Sequence, residues 1–146
     1  MNIQDLLSTD LQTNLSVSND PFFYVGRAEI TLDDGAKLFW FFSDDEGMLS
    51  IAPQEEELII FEKIEDEIET SDTIFYRSKE YEFNYEDAGN VTSIDGDPLA
   101  EEEDRYMFSD YQAAGGEVLR VVLNENTGET LIYHGHTVSD EDVVTV

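Results

Sequence analysis

The stretch FFYVGRAEITL, from Phe22 to Leu32, places Phe22, Tyr24, Gly26, Ala28, Ile30 and Leu32 at one parity and Phe23, Val25, Arg27, Glu29 and Thr31 at the other. A period of two belongs to a pleated strand with one buried face, because successive side chains point to opposite sides of a sheet. Asp34-Gly35 then reads as a tight hairpin turn with positive φ angles, and Gly47 as the end of the next acidic turn in the same manner. Phe22 to Ile51 is therefore expected to form a three-strand meander. Its middle strand, Ala36 to Ser43, carries Leu38, Trp40 and Phe42 on one face and Phe39 and Phe41 on the other, as a strand covered from both sides does. Trp40, the only tryptophan, is expected in the core.

Before the meander, Ile3, Leu7, Leu11 and Leu15 recur every four residues and Leu6 widens the stripe. This spacing predicts a helical arm over residues 1–16, with Asn2 and Asp5 in a capping arrangement and Asn19-Asp20-Pro21 as the stop. After it, Leu58 to Ile64 reads as a strand apolar on both faces, and Thr73 to Arg77 with Glu80 to Tyr85 as a hairpin. Ala88-Gly89-Asn90 reads as a turn into Val91 to Ile94, which Asp95-Gly96-Asp97-Pro98 ends. Tyr106 to Tyr111, Val118 to Leu123 and Thr130 to His136 complete about ten strands at the spacing of an antiparallel sandwich or barrel. The expected layout is one all-β domain over residues 1–146, with its β portion at 17–139 and an acidic C-terminal tail at 140–146.

Charge narrows the function classes. The 146 residues hold 35 Asp and Glu against 7 Lys and Arg, a formal charge of −28. Such a field opposes direct binding to nucleic acid or to an anionic membrane and attracts cations, polyamines or a basic protein. The same acidity also keeps a β-rich chain soluble and blunts its edge strands. No apolar run is long enough for a membrane span, no secretory leader is recognised, and zero cysteines excludes disulfides and thiolate chemistry, which together suggest a cytoplasmic protein. The acidic run that includes Glu101 to Asp104 reads as a solvated loop.

The succession VGR, LFWFF, YRSKEYEF, SIDGD, YMFSDYQAAGGEVL and LIYHGH, between Phe23 and His136, resembles the bacterial family described as domain of unknown function 4178. The resemblance implies a small β-rich protein with no assigned reaction and no catalytic residues to carry over. It also implies an association with polyamine metabolism and membrane stress.

Chemical content concentrates at His134-Gly135-His136, the only two histidines. Residues two apart on a strand face the same way, so both imidazoles could ligate one metal. Gly128, His134, His136 and Glu141 resemble, in their spacing, the first half of the cupin metal motif; Glu141, Asp140 or an acidic loop would supply the remaining ligands. The alternative is a pair of edge-strand histidines flanking a glycine turn. Ser109 or Ser139 with a histidine lacks the strand-turn-helix elbow of a serine hydrolase. Asp44-Asp45-Glu46-Gly47 and Asp95-Gly96-Asp97 read as turns before weak Ca²⁺ loops. No cofactor motif is present. The expected function is a non-catalytic acidic binding or scaffold module for a basic protein or polyamine. Alternatives are an acidic mimic of nucleic acid that occupies a DNA-binding protein, and a cupin-like metal enzyme using His134 and His136.

Overall fold

The computed structural model describes residues 1–66, 68–69, 71–96 and 102–146. Among the described residues, eleven antiparallel strands form one sheet: β1 (Asn14–Val17), β2 (Asp20–Leu32), β3 (Lys37–Ser43), β4 (Gly47–Ala52), β5 (Glu57–Ile64), β6 (Thr73–Tyr76), β7 (Lys79–Gly96), β8 (Arg105–Gln112), β9 (Glu117–Asn124), β10 (Thr130–Val138) and β11 (Val143–Thr145). Eight of them, in the order β2-β3-β4-β5-β10-β9-β8-β7, close into a barrel through the pairing of β2 with β7. The expected all-β class and the meander are both present. So is the burial of Trp40, which stands 2% exposed in the barrel core.

Two β-bulges explain how the long strands serve two cores each. On β2, Tyr24 pairs with Ser43 but Gly26 pairs with Phe42, so Val25 is the extra residue and the strand changes face there. Residues of one parity consequently split. Phe22 and Tyr24 pack outside the barrel with Phe41, whose ring stacks on Tyr24 at 4.3 Å, while Ala28 and Ile30 join Trp40 inside. β7 repeats the device at Asn84, between Phe83 opposite Tyr111 and Tyr85 opposite Asp110. Its first half, with β6, folds Ile74, Tyr76 and Tyr81 over Tyr111 and Leu119 on the outer wall, and its second half closes the barrel.

Five expectations are corrected. The helical arm over 1–16 reduces to one helix, α1 (Ile3–Leu7), and Leu15 lies instead in β1 between β2 and β11. Ser18 and Asn19, both at positive φ, turn β1 into β2 in two residues, so the leucine spacing crosses from helix to strand. A helix of five residues is too short to stand alone. Leu6 anchors it with no exposed surface, a burial that contributes about 2 kcal/mol, and the Arg27 guanidinium donates to the Leu7 carbonyl at 2.8 Å.

The C-terminal segment 140–146 is not a tail. Asp140–Asp142 forms a 3-10 turn capped by Ser139, and β11 then pairs with β1, burying Val143. Ala88-Gly89-Asn90 is no turn either, because β7 runs straight through it. Gly89 is needed there for close approach: a Cβ would stand 2.5 Å from the Thr31 carbonyl oxygen across the closing seam. At the meander's second turn it is Glu46, not Gly47, that takes positive φ, and at the first turn Gly35 does so without Asp34. Asp97, Pro98 and Glu101 lie outside the described residues.

Candidate functional site

The inward parity of β9 reads Val118, Arg120, Val122, so a guanidinium sits inside an otherwise apolar barrel at 1% exposure. Desolvating such a charge is costly unless it is paired and hydrogen-bonded. Asp110 on the adjacent β8 meets that demand with a two-pronged contact, accepting from Nε at 2.6 Å and from Nη2 at 2.8 Å. Ser50 Oγ accepts from Nη1 at 2.8 Å, and the rings of Phe61 and Phe108 lie on the guanidinium at 4.8 and 4.9 Å from their centroids. Burial alone would lower the guanidinium's pKa; Asp110, by charge and by hydrogen bond, more than reverses this.

Above this pair the barrel opens. A cavity of about 380 Å³ is floored by Leu38, Ala52, Tyr85 and Phe108 and rimmed by Asp34, Glu55, Glu57 and Asp87. An eight-stranded barrel is wide enough either to be filled by side chains or to hold one small ligand, and here one end is left unfilled. Among the acids at the mouth, Glu57 shares the inward face of β5 with Ile59 and Phe61. Burial pushes the pKa of its carboxyl up; Arg120 pulls it down, while Asp110 and Glu55 add to the rise. Burial likewise pushes up the Tyr85 hydroxyl, keeping it neutral. Lys37, the cation on the rim, is turned to Glu29 at 3.3 Å and Thr31 at 2.7 Å.

His134 and His136 do share a face, as strand parity requires, but it is the outer wall of the barrel. Tyr133 and Gly135 point inward, whereas His134 lies against Tyr76 and Tyr81 with ring centroids 5.5 and 6.3 Å away. Strand β10 is not an edge, for it pairs with β5 on one side and β9 on the other, and Gly135 is mid-strand, not a turn. His134 Nε2 stands 3.6 Å from Glu117, whose carboxylate also accepts from Lys79 Nζ at 2.7 Å and the Tyr81 hydroxyl at 2.8 Å. Those hydrogen bonds, from Lys79 first and Tyr81 second, hold the Glu117 carboxyl down at about 2. His136 is exposed, and Glu141 sits in the Asp140–Asp142 turn. Among the described residues no group of three or more His, Asp or Glu side chains is arranged to hold a metal ion.

Ser109 faces Glu86 at 3.3 Å, and Ser139 caps the 3-10 turn. Asp45 accepts from Ser43 within the acidic turn.

Arg120, Asp110 and Glu57 escaped the sequence reading. The available signal was a lone arginine at the inward parity of the apolar run VLRVVL. No family model matches the chain, and no match is found among curated proteins or solved structures.

Proposed function

We propose that this protein is a non-catalytic acidic binding module for a cationic partner, a basic protein or a polyamine, acting in the bacterial cytoplasm. A place in the family of unknown function 4178, with its link to stress or polyamine-associated systems, belongs to the same proposal. The observation that carries it is the barrel mouth, where four carboxylates ring an apolar floor and the nearby lysine is already paired. Seven basic residues cannot neutralise thirty-five acids, so the surplus faces outward and draws cations toward that opening. No helix among the described residues is long and apolar enough to cross a membrane, which fits this reading without fixing the compartment.

The competing readings draw less support. Exposed acids among the described residues occur in separate elements: the turn Asp44–Glu46, the β6–β7 hairpin at Glu80 and Glu82, and the turn at Asp140–Asp142. A metal enzyme would need His134, which Glu117 already engages. Titration calorimetry with poly-lysine and with spermidine tests the proposal. Affinity is expected to fall by at least about tenfold as salt rises from low to several times physiological ionic strength, as for recognition by screened charges. Binding indifferent to salt, or no binding of either probe, would remove the acidic field as the recognition element.

A further inference from the structure

We propose that the mouth cavity binds one small organic ammonium ion with an apolar body, its nitrogen against Glu57 and its body on Leu38, Tyr85 and Phe108. This rests on the reading of the protein as a binder of cations and specifies the class of small ligand the barrel itself accepts.

Size comes first. A concave space of about 380 Å³ suits a small molecule and is too narrow for a folded partner. Charge then selects the sign. Asp110 is the carboxylate in two-pronged contact with Arg120, while Glu57 and Asp87 line the cavity beyond it, and Glu57 is the one that burial and the Arg120 charge both reach. Among the described residues Glu57 makes no ion pair, and it lies in a partly desolvated place where the charge of Arg120 acts on it without contact. A monocation brought beside it supplies that contact, and a neutral ligand of the same shape does not.

An anion is disfavoured for the same geometric reason. The rings of Phe61 and Phe108 lie over Arg120, and its N–H groups are taken by Asp110, Ser50 and the Tyr85 hydroxyl. A bare metal ion is disfavoured by the floor, which offers Leu38, Ala52 and Phe108 where ligands would be needed. An alkyl or aryl body satisfies that floor, and the rings of Tyr85 and Phe108, edge to face at 6.5 Å, present π-density near a positive charge.

The experiment titrates phenethylamine, 2-phenylethanol and spermidine into the wild-type protein and into Glu57→Gln. Chemical-shift changes and calorimetry are read at constant ionic strength, with poly-lysine as a parallel probe. Phenethylamine is expected to saturate one site on the wild type. The charge-free alcohol should bind at least about tenfold more weakly, and Glu57→Gln should weaken phenethylamine by a similar factor. That substitution removes a desolvated charge, so its thermal midpoint should hold or rise, which separates lost binding from lost folding.

Equal binding of amine and alcohol, or an unchanged affinity in Glu57→Gln, would overturn the assignment. So would spermidine binding at Glu57 with no uptake of phenethylamine, because the apolar body would then play no part. If phenethylamine fails while poly-lysine still binds in a salt-dependent way, the cavity inference falls and the cation-binding reading stands. If neither binds, both fall.

Discussion

Replacing Arg120 by Met should cost about 3–5 kcal/mol of stability at neutral pH, enough to leave much of the protein unfolded. The substitution keeps the apolar stem of the side chain but removes the two charge-assisted hydrogen bonds to Asp110, which is 1% exposed and keeps only its neutral partner Tyr85. An unpaired buried carboxylate must either carry the full desolvation cost or take up a proton. The second substitution Asp110→Leu, made in the Arg120→Met background, should therefore restore a large part of the loss, since a buried ion pair replaced by apolar groups of similar size is often neutral. Urea denaturation of the two single variants and the double variant measures this. Equal losses in the single and double variants would mean that Arg120 acts by packing between Phe61 and Phe108, with no special role for the charge pair.

Gly135→Ala should be the other severe change, at about 3 kcal/mol. An added Cβ would stand 2.0 Å from the Ile60 carbonyl oxygen and 2.8 Å from Phe61 Cδ1. The first of these is backbone and cannot swing aside. Relief requires the β5–β10 pairing to part at the register where Gly135 faces Phe61. Phe61 in turn holds the face of Arg120, so strain at Gly135 reaches the ion pair. Gly115, in the turn between β8 and β9, has open space around its would-be Cβ but a positive φ of 86°. Alanine there should cost about 1 kcal/mol, from the backbone alone. Thermal or urea melts of the two variants compare clash with backbone strain; similar losses would contradict the tight packing at Gly135.

The histidine pair thus owes its spacing to the barrel wall. The glycine between the two imidazoles exists because the inward position must be empty, and His134 is fixed by Glu117, Tyr76 and Tyr81 on the outside.

Local pattern carried much of the fold. Phe22 to Ile51 showed its strands because alternation, a glycine turn and an aromatic run are all short-range signals. Closure into a barrel was not visible, because it depends on β2 meeting β7 and β5 meeting β10, pairings far apart in sequence. The bulges at Val25 and Asn84 were hidden for a related reason: an inserted residue reverses which face is buried without disturbing the parity of the letters. At the N-terminus, Leu11 and Leu15 continued a helical spacing that the Ser18-Asn19 turn overrides, and neither residue of that turn is glycine. The mouth was the least legible part. Glu57 is one acid among thirty-five, and its inward parity beside Ile59 and Phe61 is a feature it shares with Asp87 and Asp110.

The most direct test of the cation-binding account is amide chemical-shift mapping while phenethylammonium is added at fixed ionic strength. The account predicts saturable shifts confined to the mouth, at Leu38, Ala52, Glu57, Tyr85 and Phe108, with the outer wall around His134 unmoved. Small linear shifts spread over every acidic turn, matching those from sodium chloride, would contradict it.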